Sequence, residues 1–136
     1  MNDLILGIGH NYVLFWMEQK RDAEGKITFA KHDIDPYHAQ YHVMEWIDLD
    51  ADGKNELITG KRYRAHNGKD PGELDEIGLY YFKWDGKTFV KNVISYGPFG
   101  EGKGTGLYFS TGDLNADGKI DIAVAGKDGL AVFFQK

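Results

Sequence analysis

Apolar residues recur at alternate positions or in short runs along most of the chain, and this pattern predicts β-strands rather than long helices. Four such runs follow one another closely in the middle of the chain: residues 42–50, 56–63, 78–84 and 88–94. The pair Asp85-Gly86 between the last two is a hairpin turn signal. Residues 41–95 are therefore predicted to form a meander of four antiparallel strands.

The same succession of runs is found, incompletely, on both sides of this meander. On its C-terminal side, three runs match its first three strands: residues 107–115, 121–127 and 129–136. On its N-terminal side, three runs match its last three strands: residues 2–9, 12–19 and 27–34. Four-stranded meanders in tandem are the blades of a β-propeller. The chain is thus predicted to be all-β, with a full blade at 41–95 and blade parts at 2–35 and 105–136.

Two blade parts around one full blade cannot close a ring, so the remaining blades of a longer propeller, or further copies of this chain, are expected as partners. Residues 36–46 also permit helical spacing. However, Pro36 and the aromatic and β-branched residues that follow it favour a linker that runs into a strand. No other stretch predicts a helix of useful length.

Two stretches place oxygen donors at every second position of a tight loop: DLDADGKNEL at 48–57 and DLNADGKIDI at 113–122, offset by 65 residues (113 − 48). Glycine at the sixth position of each permits a sharp turn. Carboxylate and carbonyl oxygens in such a loop are ligands that Ca2+ prefers. The predicted ligands are the side chains at positions 1, 3, 5 and 9 and the backbone carbonyl at position 7: Asp48, Asp50, Asp52, Lys54 and Glu56 in the first loop, and Asp113, Asn115, Asp117, Lys119 and Asp121 in the second.

An EF-hand shares the first six positions but requires a bidentate Glu at position 12 and a helix on either side. Position 12 is Thr59 in one loop and Val124 in the other, and both lie in predicted strands, so an EF-hand is excluded. Solvated acids in ordinary turns are the simpler alternative. Aligned oxygen donors that recur in register favour a bound cation instead, with Ca2+ preferred over Mg2+ and a structural role.

Composition narrows the range of partners. The 136 residues carry a net charge of −5 without a basic stripe, so no nucleic-acid partner is expected. No apolar run is long enough to span a membrane, so membrane insertion is not expected either. The chain has no cysteine, which excludes disulfides and thiolate metal sites. Its start lacks the pattern of a signal peptide.

GDLNADGKIDIAVAG, preceded by PFG and a glycine-rich run, and DLDADGKNELITG resemble the FG-GAP, or VCBS, repeats of the seven-bladed propeller of integrin α subunits and of many bacterial extracellular proteins. The resemblance covers residues 98–126 and 42–60, and the second half of 2–19. It implies a propeller fold, Ca2+ in the loops between strands, an extracellular or periplasmic location, and a carbohydrate or protein ligand. Asn115 stands where the repeat has Asp, and its neutral oxygen is expected to weaken the second site.

The first copy carries an insertion, residues 63–77, between its second and third strands, and loops of this kind often hold function. The insertion contains His66, while His38 and His42 lie near the start of strand one of the same blade. Three histidines at one cleft can hold a catalytic Zn2+ with an open position. We expect His42 and His66 to meet, although an ordinary polar role in loops and strand edges is the simpler explanation for each.

GKRYRAHNGKDPG followed by GLYYF is also similar, more weakly, to a stretch in propellers of the aldos-2-ulose dehydratase type, and this similarity implies a Zn2+ site acting on keto-sugars. The leading expectation is a Ca2+-stabilised binding module. The alternative is part of a Zn2+-dependent sugar lyase or dehydratase, with His42 and His66 as candidate catalytic residues. The aromatic runs would also allow stacking on sugars, but core packing is the simpler reading of them.

Overall fold

Three antiparallel β-sheets follow one another along the chain in the computed structural model, which describes residues 2–136. The strands are β1 (Leu4–Gly7), β2 (Tyr12–Arg21) and β3 (Ile27–Ala39) in the first sheet, β4 (Tyr41–Ile47), β5 (Glu56–Lys61), β6 (Ile77–Trp84) and β7 (Phe89–Gly97) in the second, and β8 (Phe109–Gly112), β9 (Asp121–Gly126) and β10 (Gly129–Phe133) in the third. Within each sheet, strands that are consecutive in sequence pair with each other. The predicted all-β class, with antiparallel meanders, is confirmed.

Several predicted strands end at other residues than the observed ones, and two of these departures are the largest. Residues 36–39 are not a linker, because β3 continues through them and only Gln40, with φ 64°, separates it from β4. Pro36 is tolerated because β3 is an edge strand and its pairing with β2 is irregular at this point. In addition, only Phe109–Gly112 of the run predicted at 107–115 is a strand.

The middle sheet packs against a neighbouring sheet on each of its faces. All six residues of β5 are buried, so its side chains alternate between two cores rather than between core and solvent. Leu57 belongs to a cluster shared with the first sheet, and Ile58 belongs to a cluster shared with the third. The two clusters comprise Leu14, Tyr41, Leu57, Tyr80 and Phe82 on one side, and Leu49, Ile58, Leu79, Ile122 and Val124 on the other.

A polar network at Asp35 ties the first sheet to the second. Asp35, buried in β3, accepts hydrogen bonds from Tyr41 Oη at 2.7 Å and Lys91 Nζ at 2.6 Å. Its own strand adds His38 Nδ1, at 3.0 Å. Burial alone would raise the pKa of Asp35, but the hydrogen bonds from these side chains outweigh it and hold the pKa well below its usual value. The carboxylate therefore stays charged and fixes the two sheets to each other.

Lys61, at the end of β5, is only 1% exposed. Its Nζ donates to the backbone carbonyls of Glu73, at 3.1 Å, and of Arg62, at 3.5 Å, and so attaches the loop after β5 to the sheet. Burial lowers the pKa of Lys61 to about 8, although the nearby carboxylates of Asp75 and Glu73 oppose this shift.

The free energy of unfolding is expected to rise by roughly 1–2 kcal/mol between pH 8 and about pH 9.5, because in this interval the unfolded chain keeps the proton that folded Lys61 loses. Above about pH 10 the trend should reverse, since buried Tyr41 has a raised pKa and only its unfolded form ionises there. Urea denaturation across this range tests the prediction. In Lys61→Met most of the rise should be lost, because only Lys91, whose pKa is also lowered by burial, then contributes to it. A wild-type curve no steeper than that of the variant would contradict the prediction.

Candidate metal-binding and ligand-binding sites

The first acidic loop joins β4 to β5 and is built around Asp48. The two oxygens of Asp48 accept the backbone N–H groups of Asp52, at 3.1 Å, and of Gly53, at 3.0 Å. Asp52 in turn accepts the N–H of Lys54 at 2.8 Å. Gly53 has φ 84°, in the left-handed region that glycine enters without strain. The loop is thus held in a tight turn by its own carboxylates.

The second acidic loop, between β8 and β9, repeats this conformation. Asp113 accepts the N–H groups of Asp117, at 3.1 Å, and of Gly118, at 2.9 Å, and Asp117 accepts that of Lys119 at 2.9 Å. Gly118 has φ 83°, one degree from its counterpart in the first loop. The hydrogen bonds from the loop backbone, led by that of Gly118, lower the pKa of Asp113.

Each loop is anchored by the acid at its ninth position. Glu56 is 2% exposed and Asp121 is fully buried, and they accept the N–H groups of Leu49 and Leu114, both at 2.9 Å. A buried carboxylate is tolerated only when its oxygens have partners. These two acids therefore set the base of each loop, and the sequence had marked both of them only as metal ligands.

The first loop gathers its carboxylates around one point. One oxygen from each of Asp48, Asp50 and Glu56 lies within 4.8 Å of the others. Such a set of hard oxygen donors fits Ca2+, which takes six to eight of them from carboxylates, carbonyls and water. The structure thus brings together three of the predicted ligands of the first site, with Asp52 beside them.

An ammonium group from another strand reaches the same carboxylates. Lys83 Nζ, on β6, forms ion pairs with Asp50, with Asp52 at 3.7 Å and with Glu56 at 3.9 Å. The contact with Lys83 lowers the pKa of Asp50, and the same contact raises the pKa of Lys83. Phe134, directly after β10, aligns with Lys83, so the two loops differ in their surroundings more than in their own residues.

A second cluster of potential metal ligands lies at the opposite end of β5. His66, in the short 3-10 turn Ala65–Asn67, stacks on His10 with ring centroids 4.6 Å apart. Both Nδ1 atoms face Asp70 Oδ2, at 2.9 Å from His10 and 3.1 Å from His66. The His42 ring meets His10 edge-on at 5.9 Å, so His10 stands between the two predicted histidines.

The third predicted histidine, His38, makes its contacts in the Asp35 network instead. His10 and Asp70 were missed by the sequence reading. The sequence did contain a signal for His10. When residues 2–9 are aligned with strand two of the full blade, His10 falls at the position of Tyr63, where the insertion begins.

The surroundings of this histidine cluster are positively charged and partly open. Arg62 Nη2 lies 3.4 Å from His10 Nδ1. Burial lowers the pKa of His42, and the charges of Arg62 and His10 add to this effect. The hydrogen bond with His10 contributes most to a lowered pKa at Asp70. A cavity of about 530 Å3 adjoins His66 and is also lined by Lys61.

A larger groove, of about 920 Å3, lies between the first and second sheets. All three tryptophans of the chain line it: Trp16 from β2, Trp46 from β4 and Trp84 from β6. Trp16 and Trp84 meet edge-to-face at 5.6 Å, and Phe89 packs against Trp84 at 5.1 Å. The sequence analysis favoured core packing for the aromatic runs, but these tryptophans line a groove and do not all lie in the core.

No helix within residues 2–136 has the length and apolar character needed to cross a membrane. Comparison with known proteins adds no relative: no family model matches the chain, and no curated protein or solved structure matches it.

Proposed function

We propose that this chain is a calcium-stabilised segment of a β-propeller of the FG-GAP type, which acts as a binding module for a carbohydrate or protein ligand outside the cytoplasm. The observation that carries the proposal is the repetition of one loop conformation at two places 65 residues apart (113 − 48). In both, the first acid accepts two backbone N–H groups and the ninth acid is buried beneath the loop. A shared purpose for both loops explains this repetition better than two unrelated turns.

The donor set supports Ca2+ rather than a softer metal. Each loop offers side-chain oxygens at alternate positions, and neither contains a histidine or a sulfur ligand. In the first loop, Asp48, Asp50 and Glu56 already converge, so an ion would meet ligands close to their bound positions. In the free loop these carboxylates repel one another, and a divalent cation would remove that repulsion and stiffen the turn.

Stacked antiparallel meanders support the propeller. The middle sheet packs on both neighbours, and the outer faces of the first and third sheets also carry exposed apolar side chains, among them Leu4 and Leu6 on β1 and Leu130 and Val132 on β10. Further blades would cover such faces in the way that the sheets within the chain cover each other.

The histidine cluster supports a second candidate function, part of a Zn2+-dependent enzyme acting on sugars. His10, His66 and Asp70 each place one ligand atom within 4.8 Å of the others, which is the donor set of a three-ligand catalytic Zn2+ site. Zn2+ bound there would lower the pKa of a water molecule and polarise a substrate oxygen. Lys61, with its pKa lowered to about 8 by burial, lines the adjoining cavity and could move a proton near neutral pH.

Calcium is expected to stabilise the protein through both loops. Titration calorimetry after removal of divalent ions should give two bound Ca2+ per chain, and each site should add about 2.7 kcal/mol to the free energy of unfolding at a hundredfold excess over its dissociation constant. Asp117→Ala and Asp52→Ala should each remove one site. Asp22→Asn, in an ordinary turn where Asp22 accepts the Lys26 N–H, is the matched control and should keep both. A protein that binds no Ca2+ would refute the account of the loops.

Lys83 is expected to weaken calcium binding at the first loop, because its ammonium competes for the same carboxylates. In an Asp117→Ala background, which leaves only the first loop active, Lys83→Met should raise the Ca2+ affinity by about tenfold at low salt, since a positive charge that competes for the loop carboxylates is removed. Lys87→Met, on an exposed turn, serves as the control. An unchanged affinity would show that the ammonium does not compete.

Zn2+ is expected to bind once per chain, and His66→Ala should abolish this binding. Co2+ substitution, followed by its visible absorption, reports whether nitrogen ligands are involved. His32→Ala is the matched control, because His32 also pairs with a carboxylate, Glu18, at 2.9 Å but has no second histidine in that pair. Binding that persists in His66→Ala, or no binding in the wild type, would rule out this site.

A further inference from the structure

The groove between the first two sheets has the character of a ligand site rather than of a core. Trp46 is 46% exposed and Trp84 is 39% exposed, whereas Leu57 and Phe82 in the adjacent core are almost completely buried. Large indoles left open to water in a concave region of this volume are typical of binding sites, since exposed apolar surface of this kind is otherwise unfavourable.

The rim of the groove is polar, and several of its side chains are already held in place. Asn55 Nδ2 donates to the Trp46 carbonyl at 3.3 Å, and Asn92 Nδ2 donates to the Val90 carbonyl at 3.1 Å. Asp85 Oδ1 accepts two backbone N–H groups, both at 2.8 Å. Each side chain is oriented by these bonds and keeps a second polar atom for a ligand, so little rotamer entropy is lost on binding.

The mixture of charges around the groove narrows the class of ligand. Carboxylates (Asp3, Asp52, Glu56 and Asp85) and ammonium groups (Lys54 and Lys83) both line it, together with the two asparagines. A strongly charged ligand would meet repulsion from one of the two sets. An apolar peptide segment would remove water from these charged groups without replacing their hydrogen bonds, which is costly.

A pyranose ring satisfies both parts of the groove. Its C–H groups form an apolar face that can lie on an indole, and its hydroxyl groups around the edge both donate and accept hydrogen bonds. We propose that this groove binds a neutral oligosaccharide, with sugar rings stacked on Trp46 and Trp84 and hydroxyls hydrogen-bonded to Asn55, Asn92 and Asp85. The proposal rests on the role of the chain as a binding module and names its ligand class.

Tryptophan fluorescence gives a direct test, because all three indoles line the groove and the signal has no other tryptophan source. Titration with maltotriose, cellotriose and triacetylchitotriose, confirmed by calorimetry, should give a saturable change with at least one of them. Trp46→Ala should weaken that binding by about tenfold or more, as expected when a central aromatic contact is removed. Asn92→Ala, which leaves the indoles unchanged, should weaken it to a smaller extent.

Tyr108→Ala is the control, because Tyr108 is an exposed aromatic residue that does not line the groove. Unchanged thermal unfolding of each variant shows that it folds. The proposal is overturned if none of the three sugars binds saturably, or if binding persists at full strength in Trp46→Ala. Running each titration with Ca2+ and with chelator separates it from the proposed function: Ca2+ binding without sugar binding refutes only the groove, and sugar binding without Ca2+ binding refutes only the loops.

Discussion

The burial of strand β5 on both faces is the constraint on which the other features depend. Its apolar side chains supply one core toward the first sheet and another toward the third. Its two ends then carry polar residues that cannot leave the interior: Glu56 at the start and Lys61 at the end. Each must find partners inside the protein, since an unpaired buried charge is costly. Glu56 finds the backbone of the first acidic loop, and Lys61 finds the carbonyls of the loop that presents His66. The core strand thus positions both candidate metal sites.

The two acidic loops show how similar local sequences acquire different properties from their surroundings. Their backbones and internal hydrogen bonds agree closely, because the acid-glycine pattern determines the turn. Their electrostatic environments differ, because Lys83 approaches the first loop from β6, whereas the aligned residue after β10 is Phe134. The second loop has a neutral Asn115 but no ammonium of this kind opposite it in the alignment. The charge of the loop residues therefore favours a cation in the first loop over the second, whereas the neighbouring charge of Lys83 disfavours a cation in the first loop.

The sequence predicted what depends on local pattern. Strand order and the turns at Gly53 and Gly118 follow from apolar periodicity and from the conformational freedom of glycine. Pro36 misled the reading of residues 36–39, because proline is acceptable at the irregular edge of a sheet. The contacts of His10 with Asp70 and of Lys83 with Asp50 join residues far apart in the chain, and no local pattern encodes them. The alternation of aromatic residues likewise could not show which tryptophans face a groove.

Lys83 connects two features that otherwise look separate. It touches the carboxylates of the first loop and also lines the tryptophan groove, next to Trp84. A cation bound in the first loop, as proposed, would compete with the ammonium for the same carboxylates, and Lys83 would then be free to pair with another acid of the groove such as Asp85. The two proposed sites would share this side chain, and any coupling through it would be reciprocal. On these two proposals, the calcium affinity of the first loop and the ligand affinity of the groove would depend on each other, whereas the second loop, where Phe134 aligns with Lys83, would be independent of the groove.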